Sequence, residues 1–317
     1  MSVSKENYSR ENPSDQMGSL LGSVFDNSFD WILERKSHFS VHPYKESPRL
    51  LDLIKPLGEL MLVADLLLRT SQRKDDARNI LDFGWKELEQ GKVLESILCS
   101  RPDLLTLSAI YAVFHANGYF NKGLHTQIER VVKTPGYFYL DLPAWRRLDL
   151  LHGLSSLNID TDKEISSVFN NTWLAGKYSY WTITDATAYG VTHTAFYMTD
   201  YGRKPDGLPE DVISYLSAVL PKWAEYYLQE GNYDLASEML MSMGCIDMHP
   251  NYELISQFSA GQRKDGSYEG PPFGALNLIH GESDEERIGF LSDYHTTLVS
   301  CMAAYFCSPS VQLAISA

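Results

Sequence analysis

No apolar run in the sequence approaches the ~18 residues that a membrane span requires. The opening stretch, MSVSKENYSRENPSDQMGS, also lacks a basic segment followed by an apolar one, so residues 1–20 are expected to form a flexible polar lead-in. Cysteine is scarce: Cys99, Cys245, Cys301 and Cys307 make no CxxC pair, which argues against a zinc ribbon or a disulfide framework and fits a reducing cytoplasm. Positive charge is short as well. The 27 Lys and Arg face 41 Asp and Glu, a formal net charge of −14, which disfavours nucleic acid and anionic membranes as partners because both are bound largely through Lys and Arg. There is no GxGxxG, P-loop or GxSxG pattern, so nucleotide-binding and α/β-hydrolase folds have no support. Strand-like blocks at regular spacing are missing too; GKYSYWTIT (176–184) has a β-like composition but reads as an extended loop feeding a helix.

What the chain does contain is enough apolar content for a large core, with 44% hydrophobic and 12% aromatic residues. Much of it recurs in short segments with helical spacing: ELMLVADLLL (59–68), LTLSAIYAVFH (105–115), LDLLHGLSSL (148–157), VTHTAFYMTD (191–200), LASEMLMSM (235–243) and YHTTLVSCMAAY (294–305). Charged amphipathic stretches lie between them, among them DDARNILDFGWKELEQ (75–90) and DVISYLSAVLPKWAEYYLQE (211–230). A helix apolar around most of its circumference must be covered on both sides, whereas an amphipathic one buries a single stripe. The alternation therefore predicts an all-α, single-domain α/α toroid over residues 21–317, built of about six helical hairpins. Spacing near that of HEAT or armadillo units keeps an open helical-repeat array as the competing architecture.

Superposing the apolar segments by helical phase brings one ionisable residue to the same early position in four units: Asp149, His193, Glu238 and His295. Uncompensated charge in an apolar ring is costly, so such a set implies mutual pairing, a metal or a polar substrate cavity. With the phase shifted by one turn, some of these groups would instead cap helices or face solvent. Asp185 and Asp293 precede the two histidines and would either hold an imidazole in one tautomer or cap a helix start. A divalent metal held by the histidines with Asp149 or Glu238 is a further option, although HExxH, HxH and Cys/His clusters are absent. CIDMHPN (245–251) reads as a helix stop with polar groups solvating the turn. The tyrosine-rich loops YFY (137–139) and YSYW (178–181) both lead into apolar segments, so Tyr178 and Trp181 are expected to line one mouth of the ring.

FDWILERKSHF (29–39), THTAFYMTDYG (192–202) and DYHTTLVSCMAA (293–304) together resemble the DUF6895 group of bacterial proteins, a likeness that would cover nearly the whole chain. QRKDGSY (262–268) is similar to the QxxDGSW turn that ties hairpins together in terpenoid-cyclase and prenyltransferase-like α/α toroids. Tyr replaces Trp, the motif occurs once, and no DxDD or DDxxD accompanies it, so the similarity implies toroidal architecture more than terpene chemistry. In that role Asp265–Gly266 makes the turn, Tyr268 wedges between hairpins, and Pro271–Pro272 stiffens the extended continuation.

The expected function is that of a bacterial enzyme of specialised metabolism. It would use acid–base chemistry (a cyclisation, elimination or hydrolysis) on a small or carrier-borne polar substrate. His193 and His295 would transfer protons, and Asp149 and Glu238 would orient them or bind a cationic group. Asp185, Tyr197, Tyr178, Trp181 and Tyr268 are the candidate substrate-binding residues. No cofactor is required by this reading. The alternatives are a metal-dependent hydrolase at the same residues and a non-catalytic helical-repeat module that binds a protein or peptide.

Overall fold

A computed structural model describes residues 13–69, 73–134, 137, 140–272 and 274–308, and every regular element among them is helical. The six apolar segments fall in α2 (Leu50–Leu68), α5 (Ser108–Ala116), α7 (Ala144–Ser156), α9 (Asp185–Met198), α11 (Tyr233–Cys245) and α14 (Glu285–Cys307). The amphipathic stretches form α3 (Lys74–Glu87) and α10 (Glu210–Gln229), with α1 (Pro13–Glu34), α4 (Lys92–Ser100), α6 (Lys122–Val132), α8 (Asp162–Phe169), α12 (Tyr252–Ala260) and the short α13 (Leu276–Ile279) completing the set. Residues 1–12 lie outside the described residues. The expected lead-in ends earlier than residue 20, because α1 already begins at Pro13 and buries Leu21, Val24 and Phe25 further along.

Local chemistry sets several of these boundaries. Asn121, Asn232 and Asn251 each accept the backbone N–H three residues on, at the starts of α6, α11 and α12. Thr184 and Thr187 form a reciprocal capping box that starts α9. Asp284 caps α14 by accepting from Glu286 and Arg287.

The covered helices touch in succession: α2 on α5, α5 on α7, α7 on α9, α9 on α11, α11 on α14, and α14 on α2. Outside them α3 lies on α2, α8 on α7, α10 on α11 and α1 on α14, while α12 bridges α1 and α10. From Asp234 to Cys245 every residue of α11 is buried, as expected of a helix covered on all sides. Its approach to α14 needs Gly244, where an added Cβ would meet the Phe306 backbone carbonyl at 2.7 Å.

On the other covered helices only a narrow stripe stays accessible, and it repeats every three or four residues. It carries Lys55, Glu59 and Leu62 on α2; Arg146, Asp149 and His152 on α7; Tyr189, His193 and Tyr197 on α9; and Ser292, His295 and Val299 on α14. A stripe of that period is one face of each helix.

QRKDGSY ties α1 to α12 and α14. The Gln262 amide donates to Val24 O, Ser28 Oγ and Gly266 O, and accepts from Asn27. Trp31 Nε1 donates to Asp265 Oδ2 at 3.2 Å. Gly266 has φ +90°, and a Cβ there would stand 2.2 Å from Asn27 O. Tyr268 is fully buried, stacked on Phe258 with its hydroxyl donating to Phe258 O at 3.1 Å. It therefore packs at the joint, and the expectation that it also binds substrate does not hold.

Candidate functional site

His295 sits among carboxylates from two other helices. Its Nδ1 lies 3.2 Å from Glu59 Oε2 on α2, an ion contact whose angle misses that of an aligned hydrogen bond. Its Nε2 faces α11, 3.5 Å from Asp234 Oδ1 and 4.0 Å from Glu238 Oε1. Burial alone would push this imidazole down, but Glu59 and Asp234 outweigh it and raise the ring to about 9. Glu59 shows the reciprocal effect: burial would raise it, yet His295 and Lys55 draw it down to about 2. His295 is thus an imidazolium at neutral pH, with no lone pair on either nitrogen. Asp234 also accepts hydrogen bonds from the Tyr189 and Thr296 hydroxyls.

His193 is held in the opposite state. Its Nδ1 is 2.9 Å from the Tyr189 carbonyl oxygen one turn back on α9, which fixes the proton on Nδ1 and leaves Nε2 with its lone pair. Burial lowers this ring to about 3, against the pull of the Tyr189 carbonyl, and the positive charges of His295, Arg146 and Lys55 push the same way as burial. Trp145 packs against it with ring centroids 4.9 Å apart.

Glu238 connects the two imidazoles. Its Oε2 lies 3.5 Å from His193 Nδ1 and accepts from the Thr192 hydroxyl, while Oε1 faces His295. Burial, then the neighbouring Asp234, raise this carboxyl to about 8, so it carries a proton near neutrality. His193, His295 and Glu59 nevertheless keep 24%, 27% and 24% of their side-chain surface accessible, so the cluster lines a recess and is not sealed in core. Glu238 and Asp234 form its buried back wall, at 1% and 2% accessible.

Asp149 belongs to the same accessible face but not to this contact set. Burial raises its carboxyl to about 6, against His152, Arg146 and the Tyr197 hydroxyl one turn beyond His193. One turn further along α7, His152 Nε2 lies 3.0 Å from Asp200 Oδ1. Arg69 donates to the Asp200 carbonyl at 3.1 Å and to Asp65 at 2.9 Å, and Asn117 donates to Asp65 at 2.7 Å. These bonds join α2, α5, α7 and α9 at their C-terminal ends. The turn that supplies Asp200 runs through three left-handed residues, Asp200, Tyr201 and Gly202, at φ 48°, 51° and 81°. Two of them are not glycine, a conformation costing about 1 kcal/mol or more each, which the bonds to His152 and Arg69 offset.

Of the residues singled out by phase, His193, Glu238 and His295 are brought together, while Asp149 stands on the accessible stripe of α7 outside their contacts. Asp185 is exposed in the first turn of α9, where Tyr227 donates to it at 3.4 Å, outside the cluster. Asp293 caps nothing, since α14 starts at Glu285; it instead accepts from Arg263 and the Gly270 N–H at the QRKDGSY joint. Tyr178 and Trp181 do not line the recess. Their loop is pinned along the outer helix α10, by Tyr215 donating to Tyr178 O and Trp223 to Tyr180 O, and they are 54% and 71% exposed. Phe138 and Tyr139 lie outside the described residues. Cys245 ends α11 and Asn251 caps α12, so CIDMHPN is the helix stop that its proline suggests.

Glu59 and Asp234 escaped the sequence reading. A signal for Glu59 exists: it precedes Asp149 by ninety residues, two repeat lengths, and opens the first apolar segment. Asp234 sits just before LASEMLMSM, where it passes for a capping residue. Among the described residues no three His, Cys, Asp or Glu side chains are disposed to hold a metal ion, and no helix is long and apolar enough to cross a membrane. No curated protein and no solved structure gives a significant match to the chain. The family model described as "Domain of unknown function (DUF6895)" matches residues 25–305, nearly the whole sequence, and the chain belongs to that family.

Proposed function

We propose that this protein is an enzyme that moves protons between His193, Glu238 and His295 on a small or carrier-borne polar substrate, in a cyclisation, elimination or hydrolysis. We further propose that the helix succession is an α/α toroid of six hairpins whose accessible stripes face a common central pocket. The cyclic order of packing, ending with α14 on α2, supports that architecture over an open array.

The observation that carries the functional reading is the placement of one carboxyl between two imidazoles held in opposite protonation states. Environments that push neighbouring titratable groups apart are the mark of an acid–base pair. His193 Nε2 would accept a proton from the substrate or from an attacking water; His295, with the protonated Glu238 behind it, would supply one to the leaving or developing anionic atom. One proton enters the site and one leaves it, so no other reactant is required. Convergence of these groups from three helices is what a catalytic recess needs and what a peptide-binding groove does not.

The test works with an unidentified substrate. The full chain is incubated with a small-molecule extract in D2O, and the mixture is followed by mass spectrometry. Conversion or deuterium uptake by the native protein, lost in His193→Gln and in His295→Gln, is the expected result. Equal conversion by all three proteins would remove the proposal.

A further inference from the structure

We infer that the substrate carries an anionic group, a carboxylate or a phosphate, which binds between Lys55 and Arg146 above the two histidines. This rests on the reading of the His193–Glu238–His295 cluster as the reacting centre, and it adds the class of molecule that the centre receives.

The covered helices carry three levels of polar groups. At the middle level lie Glu59 and Asp149. One turn toward the N-terminal end of each helix come Lys55 on α2 and Arg146 on α7, both exposed and on the same stripes. Lys55 Nζ is 3.4 Å from Glu59 Oε1, the carboxylate that holds His295. The Arg146 guanidinium stacks over Trp145 at 4.5 Å, and the same indole packs on His193. Each cation is thus one side chain removed from one of the two imidazoles. Arg146 has no ion-pair partner among the described residues, so its charge is free to meet a ligand. In a chain of net charge −14, two cations placed over a recess are a local exception.

At the opposite end of the stripes a cavity of about 340 Å³ is lined in part by Asp65, Arg69, Asn117 and Arg203. The cations there are already paired, Arg69 with Asp65 and Asp200 and Arg203 with Asp200, which leaves the end that carries Lys55 and Arg146 as the one where a cation without an ion-pair partner among the described residues can meet an anion. Guanidinium and ammonium groups bind carboxylate and phosphate through short charge-assisted hydrogen bonds. The arrangement also couples binding to chemistry. Both cations hold His193 down, so an anion that neutralises them makes the imidazole more basic only when substrate is seated.

The experiment uses the full chain labelled with 15N and imidazole-detecting long-range 1H–15N spectra, assigned with His193→Gln and His295→Gln. Inorganic phosphate and succinate are titrated separately at constant pH and ionic strength, with chloride as the baseline, so the two arms separate the phosphate from the carboxylate source. At least one anion should shift the His193 signals saturably at neutral pH, where both probes are anionic. Lys55→Met with Arg146→Met should weaken the apparent affinity about tenfold or more. Arg146→Gln alone, which breaks no ion pair, should weaken it less, and Lys92→Gln on α4 should not. If neither anion moves His193, or the double variant responds like the native chain, the inference is wrong. The measurement involves no turnover, so an anion site that persists while His193→Gln leaves conversion intact would sink the catalytic reading and not this binding.

Discussion

The QRKDGSY joint and the imidazole–carboxylate cluster both hold together helices far apart in sequence, but they treat polar groups in opposite ways. At the joint the Gln262 amide is bonded on both its nitrogen and its oxygen, Asp265 accepts from Trp31 and Ser267, and Tyr268 is buried with its hydroxyl satisfied. In the cluster the rings stay a quarter accessible, the Glu59–His295 contact is not an aligned hydrogen bond, and buried Glu238 is pushed toward its neutral form. Satisfied polar groups make a fastening. Groups held away from their ordinary protonation states make a site, because that displacement is what proton transfer uses.

The comparison breaks most visibly at Gly266. Gly266→Val would place a side chain against Asn27 O in a backbone conformation that β-branched residues avoid. The expected loss is about 4 kcal/mol or more, read from urea denaturation. Loss below about 1 kcal/mol would mean that the joint is not the fastening its bonds suggest.

His295→Gln comes next. It strands Glu59 and Asp234 beside a neutral amide and should cost on the order of 3 kcal/mol, at the low end for a buried ion pair because the ring is partly accessible. The sign of its pH dependence is fixed. The folded value of about 9 lies above the ~6.5 of an unfolded histidine, so the contribution is complete below ~6.5 and is lost as pH rises through about 9. Denaturation of both proteins from pH 6 to 9.5 should show the gap between native chain and variant closing over that window. A gap that is constant or widening contradicts the charged state assigned to His295.

The two regions also differ in how far the sequence discloses them. The joint is readable because its chemistry is local: Asp-Gly makes a turn and the following aromatic wedges, within seven consecutive residues. The cluster is readable only through the repeat. Phase recovers His193, Glu238 and His295, yet misses Glu59, because the unit after it carries no ionisable residue at that position to sustain the series. Asp293 misleads for want of a helix start: Asp284, nine residues earlier, is the cap, and a single Asp near a histidine does not reveal which one serves. The aromatics of YSYW mislead for another reason. Composition does not say which side of a loop faces a pocket, and the tryptophan and tyrosine hydrogen bonds that decide it come from α10, more than thirty residues away.

Asp149 tests whether the strained electrostatics extend beyond the three central groups. Its folded value of about 6 lies above that of an unfolded aspartate near 3.8, so ionisation weakens the fold progressively as pH rises through that interval. Asp149→Asn should therefore match the native chain near pH 4 and exceed it by about 1–2 kcal/mol at pH 8, after allowing for the partial accessibility of the carboxyl. An asparagine variant that is less stable at pH 8 would assign Asp149 to the satisfied class, with the joint.

The smallest effect is expected at Trp181, and it sharpens the comparison from the other side. This indole is 71% exposed and sits over neighbouring Tyr180 on a loop bonded to α10 through the Tyr178 and Tyr180 carbonyls and through Lys177 to Asp211, none of which involves the Trp181 side chain. Trp181→Ala removes neither a buried contact nor a backbone hydrogen bond, so stability should change by no more than about 0.5 kcal/mol. The imidazole spectra of His193 and His295 should be unmoved, since the loop lies along the outer helix and touches neither ring. A shift in those spectra would require a path from the loop through α9 into the recess, and would return Trp181 to the site from which its placement removes it.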